Sequence, residues 1–559
     1  MRGNVRDHGR GEVSDQATPA ARVDGAGSDV GELAGHSRTV VVWTIAARLA
    51  GFLRVALLAA VLGPTFFANL VQTALVLPYL VCQLLMASLV PAILTPHLVR
   101  LIQAGERAAA HRLACSFFGL ATAFFGLAAV LTALAAPLIL PLLTLAVDDP
   151  VVRAAQIELG WYLVLCLAPQ VPLFGIASIG LAVQQAHHRF ALSTAAPAFE
   201  NLAFCLVLLG SALLFGSGGD VGEVSLGQVL FLGIGSTLAV AAHAAAQWWG
   251  AARVGMNLRP RGGWRAPELQ SVLRMALPSS GNAILVSLGW LAMLIVAGGI
   301  PGGAVAFQIA YNLFNLPIAL CARPIATAQL PLLARRIAAG HPGAGLFHDA
   351  LRLTLFVTLP AILVFLLMAD QLASLVAFGG MRSEMGLALV TASIIGLGLA
   401  LLGEAIMVVS SSAAYARHDA GSPFRAMALQ TGILLLGLLP VTLLLAGPIR
   451  LTGIGVVFSV ATIAGGLYLY RCQLPAGRRR FDPSLWRDLA CAAAAVGVGL
   501  GVAALWPGPV GILEALTSLG LAAVTYLALQ WLGRSSQLTL LLETLRPAAP
   551  RHAADGAGS

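Results

Sequence analysis

The stretch "TVVVWTIAARLAGFLRVALLAAVL", residues 39–62, is long and apolar enough to cross a lipid bilayer. A membrane-spanning helix needs about 20 mainly apolar residues, and this stretch carries only two charges, Arg48 and Arg54. Similar apolar runs recur as far as residue 533. Because only helices and closed barrels satisfy their backbone polar groups inside lipid, runs of this length indicate helices. The sequence therefore predicts an all-α polytopic membrane protein.

The composition supports the same class. Hydrophobic residues make up 58% of the 559-residue chain and charged residues 10%. A soluble domain of this size needs a more highly charged surface, whereas lipid covers the surface of a membrane protein. The net charge of +9 comes from arginines that cluster in short loops between apolar runs, so we predict no nucleic-acid partner.

Reactive or metal-binding patterns are missing from the sequence. The seven cysteines are scattered and form no CxxC pair, so neither a disulfide framework nor a metal site is expected. There is no phosphate-binding loop, dinucleotide fingerprint or HExxH motif. We therefore expect no cofactor, no catalytic residue and no enzymatic activity.

About fourteen spans are predicted from the apolar runs. They lie near residues 39–62, 66–101, 111–136, 154–184, 192–215, 225–252, 268–299, 303–337, 346–368, 386–415, 422–446, 449–471, 485–506 and 509–533.

The loops between these spans alternate in charge. Loops such as "RVGMNLRPRGGWR" (253–265) and "YRCQLPAGRRR" (470–480) hold most of the loop arginines, and acidic residues such as Asp148 and Asp220 lie in the opposite loops. Cytoplasmic loops carry an excess of basic residues. The pattern predicts an even number of spans and cytoplasmic termini.

A weak internal repeat indicates two halves. "VLPYLVCQ" (76–83) resembles "NLPIALCA" (315–322), and each segment continues into a basic segment with an Ala-Gly pair. Transporters are often built from such repeats, with the substrate path between them. We predict a cytoplasmic tail over 1–38 that is disordered, an N-terminal lobe of six spans over 39–252, a cytoplasmic linker over 253–267, a C-terminal lobe of six spans over 268–471, two further spans over 472–533 and a cytoplasmic tail over 534–559.

Arg48 and Arg54 are the first candidates for substrate binding. Intramembrane ionisable residues usually face a cavity or a partner, and arginine binds phosphate or carboxylate through two parallel hydrogen bonds. Gly51 stands between the two arginines and permits a bend that would aim both at one central space. The alternative for Arg48, near the start of the span, is a side chain that reaches back to the interface.

Other polar residues lie at membrane depth. Arg323 is predicted as a cationic contact from the second half, and Glu200 and Glu404 as coupling or cavity residues. Pro78 and Pro317 interrupt matching spans and, with Gly51, are predicted hinges because proline removes a backbone hydrogen bond.

Several segments in order resemble the MurJ/MviN lipid II flippases of the MOP exporter superfamily. "ARLAGFLRVALLA" (47–59) is similar to the first-helix signature of that family, and "HRFALSTAAPAFEN" (188–201) is similar to its N-R-F…A-P-x-x-x-N stretch. The resemblance covers most of residues 38–480. It implies two six-helix lobes around a central cavity and two extra C-terminal helices. It also implies that the protein is located in the bacterial cytoplasmic membrane.

The chain also departs from the family pattern. Cys82, Gln83 and Asn312 stand where the family has arginine, and Asn69 stands where it has aspartate. Asn69 and Asn312 are predicted as substrate contacts at these altered positions.

The predicted function is the flipping of a polyprenyl-diphosphate-linked saccharide, lipid II or a similar peptidoglycan precursor, by alternating access. The expected partners are this lipid-linked substrate, membrane lipids, and cell-wall or glycan synthesis proteins. The altered cavity charges leave a flippase for another lipid-linked glycan, such as an exopolysaccharide or O-antigen unit, as an alternative. A cation-coupled drug exporter and a non-transporting scaffold are the remaining alternatives.

Overall fold

The computed structural model describes residues 26–538, except 87–93, 263–266, 342, 475–482, 507–510, 534 and 536. These residues form nineteen α-helices, and no strand occurs among them. Thirteen helices are long and apolar enough to span a membrane, or up to fourteen if the bent pair is counted as one span. The predicted all-α class and the count of about fourteen spans are confirmed.

The first half of the chain contains eight helices. Asp149 caps the fifth of these by accepting hydrogen bonds from the backbone of Val151 and Val152, and Ser225 caps the eighth. The eight are α1 (Ala26–Leu62), α2 (Phe66–Met86), α3 (Thr95–Gln103), α4 (Arg107–Leu143), α5 (Pro150–Leu167), α6 (Gln170–Ala186), α7 (Phe190–Phe215) and α8 (Leu226–Arg253).

The second half continues with nine helices and a final pair. They are α9 (Pro267–Gly298), α10 (Gly303–Pro317), α11 (Arg323–Ala338), α12 (Ala344–Leu367), α13 (Ala369–Val376), α14 (Glu384–Gly398), α15 (Ala400–Ala416), α16 (Gly421–Leu444), α17 (Pro448–Gln473), α18 (Pro483–Ala504) and α19 (Ile512–Leu532). Helices α14 and α15 meet at a bend of 45° and together are long and apolar enough to be counted as one span.

Helices pack mainly within the two predicted lobes. In the N-terminal lobe α7 packs against α1 and α8, and α6 packs against α8. In the C-terminal lobe α14, α15 and α16 all pack against α17, while α18 and α19 pack against each other. The lobe boundaries stay a prediction, and we use the terms N-lobe and C-lobe for α1–α8 and α9–α17.

One expectation about a chain segment needs correction. Residues 26–38 were expected to be disordered, but they form the first turns of α1, because a helix already nucleated by the apolar span propagates at little cost. Residues 1–25 and 539–559, which include most of both predicted tails, lie outside the described residues. Within the second predicted span, 66–101, the structure describes α2 and α3, and residues 87–93 between them lie outside the described residues.

The lobes are joined at one end of the bundle. We call this end the acidic side; it carries the loops at 63–65, 144–149, 216–225, 299–302, 377–383 and 445–447. The opposite end, the basic side, carries the arginine-rich loops. Among the described residues, the hydrogen bonds that join the lobes lie in the half of the bundle nearer the acidic side.

Three contacts hold this junction, together with a hydrogen bond from Gln72 to Gln308. Asn69 of α2 donates to the carbonyls of Gly298 and Ile300, at 3.1 and 2.6 Å. The Gly302 backbone N–H donates to the Thr65 carbonyl at 3.0 Å. Gly302 has φ +72° and lies so close to Pro64 that a Cβ there would overlap it, so only glycine fits this turn.

The third contact is an ion pair across the lobes. Arg450, at the start of α17, lies 3.7 Å from the Asp148 carboxylate in the loop before α5. The Arg450 side chain is 6% exposed and that of Asp148 is 89% exposed. A cavity of about 220 Å³ separates the lobes beside this pair.

Candidate functional site

Arg54 is the intramembrane cation of the N-lobe. It lies half-buried on α1, within electrostatic range of Glu200 and Cys205 on α7. The nitrogens of Arg54 and the carboxylate oxygens of Glu200 do not come within 4.0 Å of each other, so the two side chains form no ion pair. Among the described residues, the guanidinium therefore has Glu200 as a counter-charge beyond ion-pair distance and no other anionic side chain paired with it.

Glu200 is held by a partner that the sequence interpretation did not single out. His243 of α8 places its Nδ1 2.5 Å from Glu200 Oε2, and both side chains are about nine-tenths buried (11% and 12% exposed). The signal in the sequence was one histidine inside the apolar run "AVAAHAAAQWW" (239–249). An intramembrane ionisable residue is a functional hypothesis by default, so this histidine could have been found from the sequence.

Two buried glutamines fix the orientation of the histidine. Gln247 Nε2 donates to the Ser193 carbonyl at 3.1 Å, and Gln247 Oε1 accepts from Gln184 Nε2 at 2.6 Å. The amide of Gln247 is thereby oriented with its nitrogen 3.5 Å from His243 Nε2. An amide N–H facing Nε2 makes that nitrogen an acceptor, so Nδ1 carries the proton and donates to Glu200.

Helix α2 contributes the remaining polar groups of this region. Tyr79 lies within electrostatic range of Glu200, and its hydroxyl accepts a hydrogen bond from Gln83 Nε2 at 2.7 Å. We call Arg54, Tyr79, Gln83, Glu200 and His243 the N-lobe site.

The predicted convergence of Arg48 and Arg54 is not observed. Helix α1 is continuous from Ala26 to Leu62, with no break at Gly51. Six residues on a continuous helix leave the two side chains about 120° apart, and Arg48 is exposed on the face that also exposes Ile45 and Leu49.

Gly51 lies inside the continuous helix α1. A Cβ at this position would meet the Asn201 side chain at 3.6 Å. Gly51 thus lies at the contact between α1 and α7, and its role as a hinge stays a prediction, as does that of Pro78. Pro78 likewise sits inside α2 without ending it.

Pro317 does mark an irregular segment. It ends α10, and residues 318–322 form a π-helical turn before α11. The Arg323 backbone N–H donates to the Ile318 carbonyl across this turn. Such turns widen a helix and often occur at functional sites. Whether the segment moves as a hinge stays a prediction.

The C-lobe contains a second arginine–glutamate couple. Arg323 is exposed at the start of α11, and Glu404 of α15 lies within its electrostatic range without an ion pair inside 4.0 Å. Tyr311 of α10 interacts with both charges, and the Trp290 ring packs against it with ring centroids 4.2 Å apart. We call Tyr311, Arg323 and Glu404 the C-lobe site.

The two predicted asparagine contacts are engaged in protein hydrogen bonds. Asn69 is 2% exposed, and besides its two donated bonds it accepts one from the Ala304 N–H at 3.0 Å. Its amide is saturated by the turn between α9 and α10, so the prediction of a substrate contact is corrected to a structural one. Asn312 Oδ1 accepts from Gln308, whose own oxygen accepts from Gln72 of α2. Asn312 therefore ends a polar chain that crosses between the lobes.

A family model for the lipid II flippase MurJ matches residues 58–516. The chain belongs to the MurJ family. The match begins four residues beyond Arg54, so the roles of Arg48 and Arg54 rest on the resemblance of the first helix and on the geometry above.

Relatives in the MurJ family extend over most of the chain. A probable lipid II flippase MurJ of Rhizobium meliloti is 25% identical over 470 residues, which is 83% of this chain and 85% of the relative. Another of Rhizobium tropici is 23% identical over 394 residues, 70% of this chain and 72% of the relative.

Solved structures share the MurJ-type fold. A lipid II flippase MurJ in an inward closed conformation superposes with a TM-score of 0.69 at 16% identity, covering 88% of this chain and 99% of that one. An inward-facing MATE multidrug resistance transporter of the MOP superfamily gives 0.60 at 16% identity, covering 76% and 94%. With its many apolar helices, this MurJ family chain is a multi-pass protein of the bacterial inner membrane.

Proposed function

We propose that this chain flips lipid II across the inner membrane, from the cytoplasmic to the outer leaflet, by alternating access and without covalent chemistry. The family match over most of the chain and the names of its relatives support the substrate. The observation that carries the mechanism is the half-buried guanidinium of Arg54 on an apolar helix, with Glu200 as a counter-charge beyond ion-pair distance.

In this proposal the diphosphate binds to Arg54. Arginine forms two parallel hydrogen bonds with phosphate oxygens, and these are stronger in a partly desolvated site than in water. Arg323 supplies a second cation from the C-lobe, with Glu404 as its distant counter-charge. Arg48 is exposed on another face of α1, so we assign it no direct contact.

The proposed direction of lipid transport follows from the position of the junction between the lobes. The described interlobe hydrogen bonds lie near the acidic side and hold the lobes together there. In this proposal the substrate headgroup therefore enters between the lobes from the basic side. Cytoplasmic loops carry an excess of basic residues, and the arginine-rich loops of the basic side support a cytoplasmic location for it. Reporter fusions after residues 258 and 476 should read as cytoplasmic and a fusion after residue 220 as periplasmic; a periplasmic signal at 476 would contradict the orientation.

The function is tested in proteoliposomes that contain lipid II, with a probe that modifies only the outer leaflet. Wild-type protein should expose lipid II to the probe, while Arg54→Ala should lose this activity at the same amount of inserted protein. Arg382→Ala is the matched control, because it removes an exposed arginine charge that is not part of the N-lobe or C-lobe site. Exposure of another lipid-linked glycan but not of lipid II would overturn the proposed substrate, and full activity of Arg54→Ala would overturn the role of the arginine.

A further inference from the structure

The pair formed by Glu200 and His243 has features of a proton-exchange site. Both side chains are nearly buried inside membrane-spanning helices, and their 2.5 Å contact joins α7 to α8. Ionisable groups at such depth are costly unless they are paired. A pair that only held two helices together could be made from neutral groups, as Gln184 and Gln247 are on α6 and α8.

The surroundings restrict where an additional proton can go. His243 Nδ1–H already donates to Glu200, and Nε2 faces the amide N–H of Gln247. A proton on Nε2 would place this N–H donor against the N–H donor of the Gln247 amide. Gln247 cannot turn its oxygen toward the ring without losing its bonds to Ser193 and Gln184. The carboxylate of Glu200 is therefore the acceptor for an incoming proton.

The charged and titratable groups that act on this carboxylate come from each neighbouring helix. They are Arg54 on α1, Tyr79 on α2 and His243 on α8. Cys205, on α7 itself, acts on Arg54. Helix α6, which also packs against α7 and α8, carries no titratable side chain. Arg54 is thus the one permanent charge in this set.

We propose that Glu200, oriented by His243, takes up a proton when the lipid diphosphate binds to Arg54, so that substrate anion and proton occupy the N-lobe site together. This inference rests on the proposed function. Without substrate, the ionised carboxylate balances Arg54. When the diphosphate arrives, two anions would compete for one guanidinium, and protonation of Glu200 removes the repulsion.

The step balances without any other reactant. The Glu200 carboxylate accepts a proton from hydronium to give a carboxylic acid and water, and the acid returns the proton to water after the diphosphate has left. His243 is a positioning residue, since it holds the carboxylate toward α8 and touches no substrate. By linkage, binding coupled to the uptake of one proton becomes at most tenfold tighter for each unit that the pH falls.

The test measures lipid II binding to the purified, detergent-solubilised full chain by isothermal titration calorimetry. Titrations in two buffers with different ionisation enthalpies give the number of protons taken up for each lipid bound. Wild-type protein should take up protons, to a maximum of one, and bind more tightly at pH 5.5 than at pH 8. Glu200→Gln mimics the neutral carboxyl group, so it should bind at all pH values with no proton uptake.

A second pair of variants separates positioning from structure. His243→Gln should still bind lipid II but should change the pH at which the affinity changes. His348→Gln is the matched control, because His348 is another histidine in an apolar helix, with its ring nitrogens bonded to Ala344 and Tyr470. It should leave the pH profile as in wild type.

The outcomes distinguish this inference from the proposed function. Wild-type binding with the same affinity at both pH values and no proton uptake would overturn the inference alone. Persistent proton uptake in Glu200→Gln would also overturn it. Absence of lipid II binding under all conditions would overturn both.

Discussion

Asn69 should control how firmly the lobes are joined at the acidic side. Its amide makes three buried hydrogen bonds to the turn between α9 and α10, to Gly298, Ile300 and Ala304. Each bond contributes about 0.5–1.5 kcal/mol net, so Asn69→Ala should weaken the junction by roughly 1.5–4.5 kcal/mol. Since each 1.4 kcal/mol is a factor of ten, local opening should rise by roughly 10- to 1,600-fold.

Hydrogen exchange measured by mass spectrometry on the protein in nanodiscs can detect this change. The Ala304 N–H is bonded to the Asn69 side chain, and the Gly302 N–H to the Thr65 carbonyl. Exchange of a protected amide follows the population of the open state. The peptide that covers residues 298–306 should therefore exchange faster in Asn69→Ala by a factor within the range above.

The control is another intramembrane asparagine. Asn201 donates only within its own helix in the described structure, to the Pro197 carbonyl at 2.8 Å. Asn201→Ala makes the same chemical change and should leave exchange over 298–306 as in wild type. Equal exchange in wild type and Asn69→Ala would refute the reasoning, because the three bonds would then contribute nothing to closure.

Three further predictions concern single charges. Arg450→Ala should lower the thermal midpoint in a dye-based unfolding assay more than Asp148→Ala does. The exposed Asp148 contributes at most about 1 kcal/mol, whereas Arg450 is buried and also donates a hydrogen bond to a backbone carbonyl. Equal effects of the two substitutions would contradict this prediction. Hydrogen bonds from Ser422 lower the pKa of Asp419, which lies in the loop before α16. The contribution of Asp419 to stability is therefore present above the ordinary pKa of about 3.9, and it is lost as the pH falls through the lowered pKa. The difference in thermal midpoint between wild type and Asp419→Ala should shrink on acidification, and a constant difference would count against it. Arg54→Lys should restore little lipid II flipping in proteoliposomes, since an ammonium group cannot form the two parallel bonds of a guanidinium; full flipping would show that charge alone suffices.

The sequence by itself determined the class of fold. Runs of about 20 apolar residues have one solution in lipid, the helix, because it satisfies its own backbone groups. The predicted span near 386–415 shows how local this information is, because it forms two helices, α14 and α15, with a 45° bend between them that its apolar composition did not indicate. Arg54, Arg323, Glu200 and Glu404 were identifiable for the same reason, since a charge at membrane depth is conspicuous in an apolar run.

The partners of those charges depended on tertiary structure. His243 pairs with Glu200 across 43 residues of sequence, and Asn69 bonds to Ile300 across 231. Nothing in the local sequence distinguishes an asparagine that faces a cavity from one that ties two lobes together, because both stand in apolar helices with the same composition. Which face of a helix meets which neighbour is decided by packing, and packing assigned Arg54 to the site, Arg48 to the exposed surface and Asn69 to the junction.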